Sequence, residues 1–104
     1  MPTALKPGDT DSAYSESVNC PVTLRWSPVS DPSGVIYRVE LERSIYAGVW
    51  EPEYSDWESG SELEVFYPHC DTARVYRWHV TARDGVGNWS AGWSDWLYYG
   101  IPFE

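Results

Sequence analysis

The chain has 104 residues, 42% of them hydrophobic and 16% aromatic, which suffices for one domain with a single core, is too short for two, and excludes a disordered segment. Sixteen acidic residues against seven basic ones give a formal net charge of -9, which repels phosphate backbones and anionic headgroups, so neither nucleic-acid nor membrane partners are expected. No apolar run approaches the roughly 20 residues that cross a bilayer as a helix.

In chain order, Met1-Pro-Thr-Ala-Leu-Lys-Pro-Gly8 lacks the apolar centre of a secretory signal and reads as the start of a segment excised from a longer protein. Residues 1–19, with Pro2, Pro7 and many small polar side chains, predict a loose lead-in holding an irregular first strand at 13–18; the domain proper is 20–104. Val22, Leu24 and Trp26 alternate with Thr23 and Arg25, the pattern of a half-buried strand, which Ser27-Pro28 closes. Asp31-Pro-Ser-Gly34 is a turn. The spacing then predicts a strand over 35–43, with Val35, Tyr37, Val39 and Leu41 inward and Arg38, Glu40 and Glu42 outward. A short strand at 49–54 carries Pro52, which belongs on a sheet edge. Beyond Ser59-Gly60, Leu63, Val65 and Tyr67 alternate with Glu62, Glu64 and Phe66 until Pro68.

The last hairpin, over 76–99, is the clearest. Tyr76, Trp78, Val80 and Ala82 share the buried face, while Arg77, His79, Thr81 and Arg83 share the other. Asp84-Gly-Val-Gly-Asn88 supplies glycines for positive φ, and the returning strand carries Trp89, Trp93 and Trp96. Nowhere does a 3.6-residue apolar period last long enough for a helix.

Between Arg43 and Arg74 the only charges are acidic: Glu51, Glu53, Asp56, Glu58, Glu62, Glu64 and Asp71. A cationic partner or a calcium ion suits such a patch; a solvated edge strand whose charges prevent sheet-to-sheet pairing suits it as well. Trp50, Tyr54 and Trp57 crowd the same segment, and flat rings beside carboxylates fit sugar rings, although the rings can equally pack onto the sheet. The pairs Glu51 with Glu53 and Glu62 with Glu64 read as solubility charges. There is no Gly-x-Ser-x-Gly elbow and no phosphate-cradling glycine loop, and His69 and His79 fall at structural positions. No catalytic residue, cofactor or metal is therefore expected. Asn88-Trp-Ser90 matches an N-glycosylation acceptor and also suits a turn.

Seven short strands at this spacing suggest an all-β, immunoglobulin-like β-sandwich. Val22-Thr-Leu-Arg-Trp26-Ser-Pro, Asp31-Pro-Ser-Gly-Val-Ile-Tyr37-Arg-Val39 and Tyr76-Arg-Trp-His-Val80-Thr-Ala82-Arg-Asp-Gly-Val-Gly87-Asn together resemble the fibronectin type III pattern, and the resemblance covers residues 20–99. It implies seven strands in fibronectin type III topology, with Trp26, Tyr37, Tyr76 and Trp78 in the core. Tyr76 becomes the tyrosine corner, its hydroxyl bonding to the preceding turn.

Two departures from the family pattern carry further implications. Cys70 stands where the family has leucine, six residues before Tyr76, and Cys20 stands six before Trp26. In this topology the two strands run the same way in facing sheets, which implies a Cys20–Cys70 disulfide and an oxidising compartment, extracellular or cell-envelope. Two buried free thiols, or a zinc site adding His69 and His79, are the other readings. The second departure, Trp89-Ser-Ala-Gly-Trp93-Ser-Asp-Trp96, is similar to the Trp-Ser-x-Trp-Ser box of class I cytokine receptors. It implies a ladder in which Trp89, Trp93 and Trp96 interleave with Arg77, Arg83 and Arg38, with a bulge at Gly92; the receptor function does not carry over. The resemblance as a whole implies a monomeric, non-catalytic spacer or protein-interaction module between neighbouring domains. The alternative is a carbohydrate-binding module using Trp50, Tyr54 and Trp57.

Overall fold

A computed structural model describes residues 2–8, 17–30, 32–46, 48–66, 69–70, 74–89 and 92–101. The strands are β1 (Ala4–Lys6), β2 (Val22–Trp26), β3 (Val35–Tyr46), β4 (Val49–Glu58), β5 (Glu62–Val65), β6 (Arg74–Asp84) and β7 (Leu97–Ile101). They form two antiparallel sheets packed as a sandwich, one ordered β1-β2-β5 and the other β4-β3-β6-β7. No described residue is helical.

The alternation read from the sequence sets the interior. Val22, Leu24, Trp26, Leu63 and Val65 project from the three-stranded sheet, and meet Tyr37, Val39, Leu41, Tyr76, Trp78, Val80, Leu97 and Tyr99 from the four-stranded one. Trp26 lies against Tyr37 and Trp78 with tilted rings, at centroid distances of 5.6 and 6.3 Å. All four rings predicted for the core, Trp26, Tyr37, Tyr76 and Trp78, are buried. The hydroxyl contact predicted for Tyr76 falls on the β5–β6 connection, where residues 67, 68 and 71–73 lie outside the described residues.

Cys20 and Cys70 are joined in a disulfide with their Cα atoms 5.5 Å apart. The bond ties the start of β2 to the segment before β6 and marks one pole of the sandwich. With both sulfurs used this way, the free-thiol and zinc readings drop out.

Three differences from the sequence reading have identifiable physical causes. The first strand is β1, at Ala4–Lys6, pairing with Trp26 and Arg25 of β2. Of the strand expected at 13–18, residues 13–16 lie outside the described residues, and Ser17 makes an isolated parallel bridge to Gly100. Three residues between two prolines show no readable period, so only tertiary pairing reveals β1. The lead-in is tied to both sheets: Ser27 N donates to Thr3 O at 2.9 Å, the Trp78 indole donates to Pro7 O at 2.9 Å, and Val18 N donates to Gly100 O at 3.0 Å. At Gly8 (φ +115°) a Cβ would sit 2.9 Å from the Tyr98 carbonyl oxygen, so only glycine fits this crossing.

Secondly, β4 runs on to Glu58. Its pairing with β3 shifts between Leu41↔Tyr54 and Glu42↔Pro52, leaving Glu53 as a bulge that breaks the two-residue period. Thirdly, the turn after β6 uses its glycines differently from expectation. Gly87 takes the positive φ (97°), whereas Gly85 is needed because a Cβ there would lie 1.7 Å from the Ser33 carbonyl oxygen. Asp84 closes the turn by accepting from Val86 N at 3.0 Å and Asn88 N at 2.9 Å, and these backbone donors, Asn88 first, hold its carboxyl below the usual carboxylate range.

Candidate functional site

The solvent face of the four-stranded sheet carries the densest group of interacting side chains. Residues paired across a sheet share a face, so the register Trp57↔Arg38↔Thr81, with Glu40↔His79 and Glu42↔Arg77, places these side chains outward together. Trp50, opposite Ser44, joins them from the far end of β4.

Two stacks result. In the first, the His79 imidazole lies nearly parallel between Trp93, at 4.0 Å and 13°, and Trp96, at 3.7 Å and 10°. The Arg77 guanidinium covers the next gap, 4.1 Å from the Trp96 centroid and 4.7 Å from that of Trp50, and Trp50 meets Tyr98 edge-on. Glu42 accepts from Arg77 Nε at 2.8 Å, and His79 Nε2 lies 3.0 Å from a Glu40 carboxylate oxygen. Burial between the indoles pushes the His79 imidazole below its ordinary range, against the pull of Glu40. In the second stack, Arg83 sits 5.1 Å from the Trp57 centroid and 5.5 Å from that of Trp89, and Arg38 sits 5.2 Å from Trp57. Trp57 and Trp89 are 5.4 Å apart with planes tilted by 43°.

The ladder implied by the tryptophan box thus forms with altered rungs. Arg77 and Arg83 meet Trp96 and Trp89 of the box, but Arg38 meets Trp57 of β4, and the side chain stacked on Trp93 is that of His79. The cause is the return path. After the Arg83↔Trp89 bridge the chain leaves regular pairing, and β7 begins only opposite Trp78. Gly92 has φ +119°, its carbonyl accepts from Thr81 Oγ1 at 2.7 Å, and Ser94 Oγ accepts from Val80 N at 3.0 Å. A serine hydroxyl therefore replaces a backbone carbonyl of the ladder, and the extra residues carry Trp93 and Trp96 to either side of position 79.

The three-ring platform proposed for sugars does not assemble. Trp50 and Trp57 face outward, but Tyr54 pairs with Leu41 and lies on the opposite face of β4. Its ring stacks on His69 at 4.7 Å, and its hydroxyl donates to Asp56 at 3.2 Å. The intervening bulge and pleat could not be read from three aromatic letters.

The acidic edge is largely paired internally. Arg43 bonds Glu51 through two nitrogens and contacts Glu53 at 3.4 Å, while the other Glu53 oxygen lies 2.8 Å from His69 Nδ1. Burial raises the Glu58 carboxyl above the usual carboxylate range, with Asp56 adding to it. Among the described residues, no three or more His, Cys, Asp or Glu side chains group to hold a metal ion. Comparison of the chain with protein-family models, with curated proteins and with solved structures finds no match.

Proposed function

We propose that this chain is a fibronectin type III module serving as a non-catalytic spacer or protein-interaction unit in a larger extracellular or cell-envelope protein. The polarity of its strands is the observation that carries the spacer role. β1 starts beside Trp26, at the pole away from the disulfide, whereas β7 ends beside Arg74, at the disulfide pole. A chain that enters at one pole and leaves at the other joins its neighbours in series, and the body has principal extents of 45 × 24 × 20 Å. The packing of β1-β2-β5 against β4-β3-β6-β7 is consistent with the type III order, and the Cys20–Cys70 bond is consistent with an oxidising compartment.

Solution scattering from one, two and three copies joined head to tail tests this reading. The maximum dimension is expected to grow by up to about 45 Å per added copy. Copies that fold back side by side, so that the particle thickens without lengthening, overturn the spacer role.

A further inference from the structure

The cations of this acidic chain are not all used alike. Arg25 pairs with Glu62, Arg43 with Glu51 and Glu53, and Arg77 with Glu42. Arg38 and Arg83 have no carboxylate partner among the described residues; Arg38 donates to the Ser55 hydroxyl at 2.8 Å. Both nevertheless flank one indole, that of Trp57, on one sheet face. Two guanidinium groups beside one ring, without a counter-charge among the described residues, in a chain of sixteen acidic residues, create a local positive potential that an anion relieves. Next to them stand two of the most exposed indoles, Trp57 at 38% and Trp89 at 50%.

We propose that Trp57, Trp89, Arg38 and Arg83 form a binding site for a saccharide bearing a uronate group. The apolar face of a pyranose ring suits an exposed indole, and a carboxylate suits guanidinium N–H donors, which donate to its two oxygens as a pair. The net charge of -9 works against a dense polyanion, but at physiological salt a charge is screened beyond about 8 Å, so the two arginines dominate for a ligand with one acid group at the site. A free acidic peptide offers the carboxylate without the ring, which is why the exposed indoles favour a sugar. The site is independent of the end-to-end reading above, and the scattering experiment does not bear on it.

The test is a titration of the intact chain with digalacturonate, followed by tryptophan fluorescence and calorimetry. Its methyl ester and the dipeptide Glu-Glu serve as controls. Digalacturonate is expected to bind with a Kd of about 1 mM, with affinity falling as salt rises. Trp89→Ala and the double variant Arg38→Gln/Arg83→Gln are each expected to weaken binding at least about tenfold, the usual effect of losing a charge-assisted or stacked contact. Arg25→Gln, on the other sheet, leaves it unchanged. If the double variant loses its fold by circular dichroism, the ester and salt contrasts on the unaltered chain decide. No binding at about 10 mM, equal binding of the ester, or equal binding of Glu-Glu overturns the proposal.

Discussion

Two tyrosines in the core offer the same chemical edit with opposite expected signs. The Tyr37 hydroxyl accepts from Val29 N at 2.7 Å and so holds the loop after β2 against β3. The Tyr99 hydroxyl is buried and has no hydrogen-bond partner among the described residues, and burial raises its phenol well above the usual range. Tyr37→Phe removes a bond worth about 0.5–1.5 kcal/mol and leaves a part-buried N–H unsatisfied. Tyr99→Phe removes a desolvated group that costs about 1–3 kcal/mol and keeps the ring stacked on Tyr76, whose centroid is 5.7 Å away. The second variant is therefore expected to be more stable than the parent and the first less stable, with the pair about 2 kcal/mol apart. In urea unfolding both should keep the parental slope while their midpoints move in opposite directions. Thermal midpoints should differ by roughly 8–16 °C for a domain near this size. If Tyr99→Phe loses stability as Tyr37→Phe does, the phenol has a partner and the account of this corner of the core is wrong.

Three further outcomes can be measured. Gly85→Ala drives a methyl group into the Ser33 carbonyl and is expected to cost about 1–3 kcal/mol, whereas Gly60→Ala, with nothing within 4 Å, should be near neutral; equal melting curves for the two would refute the close approach. The Cys20–Cys70 bond spans 50 residues of sequence, and Cys20→Ala/Cys70→Ala should lose about 4 kcal/mol by the chain-entropy model, so a loss below about 1 kcal/mol would show that the open chain is already restrained. The folded pKa of His79 lies below 6.5, so the unfolded chain binds more protons; the stability this residue gives is complete above pH 6.5 and is lost as pH falls from there toward the folded value. An NMR titration should place its midpoint below 6.5, and a midpoint above that value would mean that Glu40 outweighs burial.

The parts legible in the sequence were those written in a local period. Val22 to Trp26 and Tyr76 to Ala82 alternate without interruption, and their strands and buried faces follow. The cysteine pair was legible through its equal offsets from Trp26 and Tyr76, given the family resemblance. What escaped was set by partners distant in sequence. Ala4–Lys6 is a strand only because Trp26 and Arg25 lie beside it. Tyr54 parts company with Trp50 and Trp57 through one extra residue at Glu53. The imidazole at position 79 belongs to the outward row that was foreseen, yet its place between two indoles depends on the detour through Gly92, which no count of tryptophans reveals.

The tie from Pro7 to Trp78 has a bearing on how the chain is made. Its two ends are separated by 71 residues, and the bridge from Ser17 reaches Gly100, in β7. A polypeptide leaving the ribosome therefore holds its leading segment with only part of its partners in place until the far side of the second sheet has emerged. Completion of the fold is thus deferred until β7 has cleared the exit tunnel.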